Sequence, residues 1–125
     1  MSQHTFNRRQ HARFVLPPMY TAVTIQRACD LAIRQMHGHA YDVSESGIRF
    51  ELDEVLEPGE AVCFQLQLPG ERETVSGDGT IVRVFDEADD PGPRRAALQI
   101  RDFLTPSDRA RLLGRLGQGA FRRAA

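Results

Sequence analysis

Period-two alternation of apolar and polar residues runs through most of the chain. Over residues 20–26, Val23 and Ile25 share one face, with Ala22 and Thr24 on the other, the pattern of a half-buried strand. Residues 37–43 read as the returning strand, with His39, Tyr41 and Val43 on one side. Residues 27–36 between them read as a hairpin tip, because strand signals flank them. Ile48, Phe50 and Leu52 alternate with Arg49 and Glu51, and Val62, Phe64, Leu66 and Leu68 alternate with Gln65 and Gln67. Further strands are expected over 79–85 and over 96–103, the latter with Leu98 and Ile100 inward. Prolines and glycines punctuate these runs. Leu16-Pro17-Pro18 must be extended, Pro58-Gly59 marks a turn, residues 69–77 read as a polar loop with a short strand near 73–75, and residues 86–93 read as an exposed acidic loop.

The period then changes. Thr105 stands as a helix cap, Pro106 as the first helical residue, and Asp108 where the reciprocal partner of a capping box belongs. Leu112, Leu113 and Leu116 make an apolar stripe, Arg109, Arg111 and Arg115 lie largely outside it, and Gly117 or Gly119 can end the helix. Residues 121–125 read as a frayed tail. Six or seven short strands followed by one helix fit a small antiparallel barrel.

Composition narrows the class. At 125 residues with 41% hydrophobic and 26% charged content, the chain is one domain with room for a core. No apolar run is long enough to span a bilayer, and the polar N-terminal residues lack a secretory signal; a cytoplasmic protein without membrane insertion is expected. The formal net charge of -1 excludes a globally basic binder of nucleic-acid polymers. All cations other than histidine are arginine, which for surface positions reflects a GC-rich coding bias. Cys29 and Cys63 are far apart in sequence and read as reduced structural residues.

Two stretches carry chemistry. Arg8-Arg9-Gln10-His11-Ala12-Arg13 supplies three guanidinium groups from a polar arm. Asp42-Val43-Ser44-Glu45-Ser46-Gly47 supplies a carboxylate, hydroxyls and a glycine in a turn leading into the strand of Ile48. Guanidinium forks pair with phosphates and with the O6/N7 edge of guanine. An ionised aspartate is acceptor-only and can take guanine N1–H and N2–H2. Asp42 and Ser44 also have a bland reading, as turn residues bonding nearby backbone N–H groups. Gly47 fits a position needing positive φ or close backbone approach.

Arg-Arg-x-x-x-Arg followed about thirty residues later by Asp-x-Ser-x-x-Gly resembles the signature of PilZ domains, bacterial receptors for cyclic di-GMP. The resemblance runs from about Asn7 to Leu116. It implies a closed six-stranded antiparallel barrel with a C-terminal helix. The corresponding organisation is a flexible arm over residues 1–14, the barrel and helix over 15–117, and a tail over 118–125. It also implies that Arg8, Arg9, Arg13, Asp42, Ser44 and Gly47 bind the ligand. Arg8, placed just before the spaced pair, is where the family uses arginine to hold an intercalated ligand dimer. Arg83 is a weaker candidate, since some members pack a large side chain near that position on a guanine.

The leading expectation is therefore a cyclic di-GMP receptor module. It orders its arm over the ligand and signals to an unidentified downstream protein. The alternative is a PilZ-like interaction module of a motility or pilus assembly that does not bind nucleotide; the intact motifs speak against it. A small nucleic-acid-binding barrel lacks its basic, aromatic-studded strand face. No enzyme, cofactor or metal centre is expected: Ser44 has no assured base, the His37-Gly38-His39 pair has no evident third ligand, and there is no glycine-rich phosphate loop.

Overall fold

The alternating runs pair edge to edge until the last meets the first. The computed structural model describes residues 12–17, 21–28, 34–85, 94–117 and 122–123. Its strands are β1 (Phe14–Val15), β2 (Ala22–Arg27), β3 (Gln35–Val43), β4 (Gly47–Leu52), β5 (Ala61–Leu66), β6 (Val75–Phe85), β7 (Arg94–Phe103) and β8 (Arg122–Arg123), with helix α1 (Pro106–Gly117) between the last two. The order β2-β5-β6-β7-β4-β3 closes through a β2–β3 pairing into a six-stranded antiparallel barrel. β3 serves two neighbours on one edge. Its first half pairs with β2, while Asp42 and Val43 pair with β1. β8 pairs with β1 in turn.

Inward residues of every barrel strand meet in one core. Val23, Ile25, Ala40, Ile48, Phe50, Phe64, Leu66, Val75, Ile81 and Leu98 are all buried, and each large apolar side chain among them contributes about 1.5–3 kcal/mol. Leu112 and Leu116 seat the helix on this core, with Leu113 half-buried beside them. Among the described residues no helix is long and apolar enough to cross a membrane.

Three bulges interrupt the alternation, one of them in β7, where Asp102 opposes Asp78 and Ile100 opposes Gly79, so Arg101 is extra. In β3, Ala40 opposes Phe50 and Asp42 opposes Arg49, so Tyr41 is an extra residue. Ala40 and Val43 both lie in the core, and Tyr41 and Asp42 both face outward. The expected single face of His39, Tyr41 and Val43 fails at this point, because one inserted residue reverses the phase of all that follow. Asp42 is accordingly a strand residue; the turn is confined to Ser44, Glu45 and Ser46. In β6, Ile81 opposes Leu98 and Arg83 opposes Ala97, so Val82 is extra and both Val82 and Arg83 are exposed.

Other expectations shift in extent. β6 starts at Val75, taking in the end of the stretch expected to be loop. Its glycines mask the strand pattern there, yet a Cβ on Gly77 would lie 2.5 Å from the Asp102 carbonyl oxygen across the ladder. Phe14, expected within the arm, opens β1, and Arg122 and Arg123, expected in a frayed tail, form β8. Arg111 and Arg115 do not simply point to solvent. Arg111 donates to the Thr74 carbonyl at 2.7 Å and Arg115 to the Pro69 carbonyl at 2.7 Å, fastening the loop before β6 to the helix.

The helix start closes as a reciprocal box. Thr105 Oγ1 accepts from Asp108 N at 3.2 Å, and Asp108 Oδ2 accepts from Thr105 N at 3.0 Å and from Thr105 Oγ1 at 2.7 Å. Asp108 Oδ1 accepts from Ser76 N at 3.0 Å, tying the cap to the barrel. Burial pushes the Asp108 carboxyl up, but the bonds from Thr105, Ser76 and Arg111 outweigh it and hold its pKa below the usual aspartate value. Asp108→Ala should cost about 2–4 kcal/mol in urea denaturation at neutral pH. The lowered folded-state pKa makes this contribution complete above the unfolded value of about 3.9 and lost as pH falls through the folded one. The gap between wild type and variant should therefore hold from pH 7 to about 5 and narrow below about pH 4; a gap that persists in acid would contradict the ionised cap.

Candidate functional site

The β3 bulge places Asp42 on the outer surface of the barrel, beneath the chain that enters β1. Arg13, the residue before β1, donates from Nη1 to Asp42 Oδ1 at 2.8 Å. The other oxygen, Oδ2, lies 3.7 Å from Arg49 Nη1. The Asp42 side chain is only 10% exposed, so one carboxylate set between two guanidiniums is shielded from water. Charge pairs in that setting are screened less than exposed ones.

Gly47 completes the contact from the other side. A Cβ built there would lie 2.9 Å from the Leu98 carbonyl oxygen and 3.5 Å from Arg13 Nη2. Gly47 has no positive φ; of the two sequence-stated reasons for glycine, close approach is the operative one. Any side chain would push β4 from β7 and crowd the Arg13 guanidinium. Ser44 is buried, and its Oγ accepts from Ser46 N at 3.2 Å and from Gly47 N at 3.1 Å. Its own N–H donates to the Gly47 carbonyl at 2.9 Å, and Ile100 N donates to the Ser46 carbonyl at 2.8 Å. Ser44 is thus the turn's internal brace, while Asp42 makes side-chain pairs.

Arg13, Asp42, Ser44 and Gly47 therefore meet in one cluster, although about thirty residues separate the first two. Arg8 and Arg9 lie outside the described residues. Arg83 shares this face. The row runs from Asp42 to Arg49, Ala97 and Arg83 in directly opposed positions. Ala97 is small and buried, leaving space above it for the longer side chains on either side. The Arg83 guanidinium lies 4.8 Å from the Phe85 ring centroid, and Arg49 lies 5.9 Å from the same ring, within cation–π range.

Arg49, Arg95, Tyr41 and Phe85 were not anticipated. Arg95 stands 5.4 Å over the Tyr41 ring and 3.5 Å from Glu51. Burial and then the neighbouring Asp42 charge raise the Tyr41 pKa, partly countered by Arg95 and Arg49. Arg49 Nε is buried with no acceptor among the described residues, an open donor on a fixed cation. Sequence phase alone marked Arg49 and Glu51 as outward, but nothing local joined Arg49 to Asp42 or Arg95 to Tyr41. A groove of about 380 Å³ outside β2, β5 and the first half of β6 shares no residue with this cluster.

Comparisons with known proteins agree with this arrangement of fold and motif. A comparison with curated proteins finds no match. Among solved structures, the Bacillus subtilis inhibitor of motility MotI/DgrA superposes with a TM-score of 0.65 at 22% identity, covering 89% of this chain and 50% of that one. The Escherichia coli YcgR PilZ domain with c-di-GMP gives 0.64 at 15% identity, covering 89% of this chain and 90% of that one. The K. pneumonia MrkH–c-di-GMP complex gives 0.69 at 18% identity, covering 89% and 51%. The chain thus spans about half the length of MotI and MrkH and nearly all of the isolated YcgR domain. With the PilZ domain family model matching residues 7–117, and with the barrel, the helix and the Arg13–Asp42–Gly47 cluster in place, the chain belongs to the PilZ domain family.

Proposed function

We propose that this chain is a cyclic di-GMP receptor whose arm, residues 1–14, orders over the ligand and passes the change to a downstream protein in the cytoplasm. The observation that carries the reading is the Arg13 guanidinium. It is bonded to Asp42 and held against Gly47, so one side chain joins both halves of the family signature. The YcgR and MrkH structures named above contain c-di-GMP, and this supports the ligand class.

The chemistry follows from the groups at hand. Cyclic di-GMP presents two phosphates and two guanines. Arg9 and Arg13 supply forks for phosphate oxygens and for guanine O6/N7. Asp42 accepts from guanine N1–H and N2–H2. Gly47 gives the ligand close access to the backbone. Ser44 acts on the ligand site through the turn it keeps in shape, its hydroxyl bonded to Ser46 N and Gly47 N and 3.3 Å from Ser46 Oγ. Arg49 and Arg83 offer guanidinium planes along the same row, against which a purine can stack. In the free chain Arg13 spends its charge on Asp42; a ligand that supplies both an anion and a donor edge satisfies each of them separately. The module acts by binding, with no catalytic step.

Two experiments test this. In calorimetry the wild type should bind cyclic di-GMP, and Arg9→Ala/Arg13→Ala should abolish binding while circular dichroism shows an intact fold. Asp42→Ala should weaken binding about ten- to hundredfold, the equivalent of one charge-assisted hydrogen bond at roughly 1.5–3 kcal/mol. Unchanged affinity in the arginine pair variant sinks the site assignment. The second experiment concerns stoichiometry. Arg8 adds a cation next to the spaced pair, and an intercalated ligand dimer brings about four negative charges that need neighbouring cations. The wild type should saturate at two ligands per chain and Arg8→Leu at one; one ligand per wild-type chain refutes the dimer.

A further inference from the structure

A second surface lies away from the ligand cluster. The ladder registers set Gln35, Gln26, Cys63, Asp78 and Asp102 directly opposite one another in a transverse row across β3, β2, β5, β6 and β7. All five line the groove of about 380 Å³ outside the barrel. Asp78 and Asp102 are two like charges directly opposed, an arrangement that weakens a ladder. No arginine is among the described residues that line the groove. Arg101, the extra residue of the β7 bulge, approaches Asp78 Oδ1 only to 3.8 Å from an exposed position. That oxygen is buried and has no hydrogen-bond donor among the described residues. At the same end of the groove stands Leu104, two residues beyond Asp102 and 73% exposed. Its N–H donates to the Ser76 carbonyl at 2.8 Å, so Leu104 is level with Ser76, whereas the carboxylates are level with Asp78. These two levels are about 7 Å apart along the strands.

We infer that this groove is a docking site for an extended segment of a partner protein, one that carries an arginine or lysine two residues from a large aliphatic side chain. The occupant follows from charge complementarity and spacing. A cation between Asp78 and Asp102 relieves their repulsion and supplies the donor that Asp78 Oδ1 lacks. Alternate side chains of an extended segment point the same way about 7 Å apart, which matches the step from the carboxylates to Leu104. Gln26 and Gln35 offer amide donors and acceptors to the backbone of such a segment. An exposed apolar side chain rimmed by polar groups is what protein interfaces cover. A phosphate-rich partner is excluded by sign, since the charged groups lining the groove are carboxylates. Leu104 also borders a second hollow of about 450 Å³, which extends to Glu45 and Ser46 of the ligand turn. The docking site therefore adjoins the turn braced by Ser44, although the groove shares no residue with the ligand cluster. The inference is independent of the cyclic di-GMP reading; under that reading it gives the chemistry of the downstream protein.

The test uses the full chain without nucleotide and the peptide acetyl-Thr-Leu-Thr-Arg-Thr-amide, with its glutamate counterpart in place of arginine as control. Cys63 is an exposed free thiol in the row, so its alkylation by iodoacetamide, mapped by mass spectrometry, reports occupancy of the groove. Calorimetry gives the affinity. The arginine peptide should bind, weaken with added salt and slow Cys63 alkylation, and the glutamate peptide should do none of these. Asp78→Asn/Asp102→Asn and Leu104→Ser should each weaken binding about tenfold. No binding of the arginine peptide at millimolar concentration overturns this inference and leaves the receptor reading standing. Unchanged affinity in the Asn pair, or equal affinity for the two peptides, also overturns it. Spermidine protecting Cys63 as well as the peptide does, with Leu104→Ser without effect, marks a polyamine site and overturns the docking of a protein segment. The Asn pair removes opposed like charges, so its Tm should match or exceed that of the wild type. Should it unfold instead, Leu104→Ser and Cys63 protection in the wild type decide, and unchanged affinity in the former or unchanged alkylation in the latter overturns the proposal.

Discussion

The extra residue at Tyr41 is the constraint on which the site depends. In an unbroken strand, a buried Ala40 would send Asp42 into the core two residues later. An unpaired carboxylate there costs several kcal/mol. The bulge spends one residue without an opposing partner to turn Asp42 outward and return Val43 to the core. The same device at Val82 delivers Arg83 to the outer surface opposite Ala97. Bulges on β3 and β6 thus stand at the two ends of one transverse row, with Arg49 of β4 and Ala97 of β7 between them. The core stays apolar and the outer row becomes polar, although both are built from the same strands.

Charge on that row is arranged so that little of it is idle. Asp42 sits between Arg13 and Arg49, Glu51 meets Arg95, and the Arg83 guanidinium lies on Phe85. Only Asp42 is deeply shielded, so its pairing to Arg13 carries more energy than the exposed pairs, which are worth about 0–1 kcal/mol each. Substitutions around Asp42 will therefore be felt in both folding and recognition, whereas the outer arginines are free to serve recognition. The helix cap at Asp108 lies on another part of the molecule and holds α1 to β6 through Ser76. Stability and binding are thereby placed in largely separate hands, as expected when a site is grafted onto a barrel.

Much of this was legible in the residues themselves. Alternation identified the buried sides of β2, β4 and β5, because cross-strand packing selects Val, Ile, Leu and Phe at every second position. The capping box was legible because its bonds span three residues. The Arg and Asp-x-Ser-x-x-Gly stretches identified the family, and with it barrel closure, which no local pattern encodes. The bulges were hidden, since a single inserted residue leaves composition unchanged and alters only phase. The start of β6 was hidden because Gly77 and Gly79 are there for the close approach of β7 rather than for strand propensity.

What the sequence determined by itself is the set of short strands, the cap, and the residue types able to meet a guanine nucleotide. Tertiary structure decided which of them meet. It brought Arg13 to Asp42 across the barrel surface, and set Arg49 and Arg83 on either side of Ala97. It chose close approach over positive φ as the reason for Gly47, and paired Arg122-Arg123 with β1. Each of these is a long-range register, fixed by the sum of many ladder bonds and core contacts. No window of neighbouring residues contains that sum.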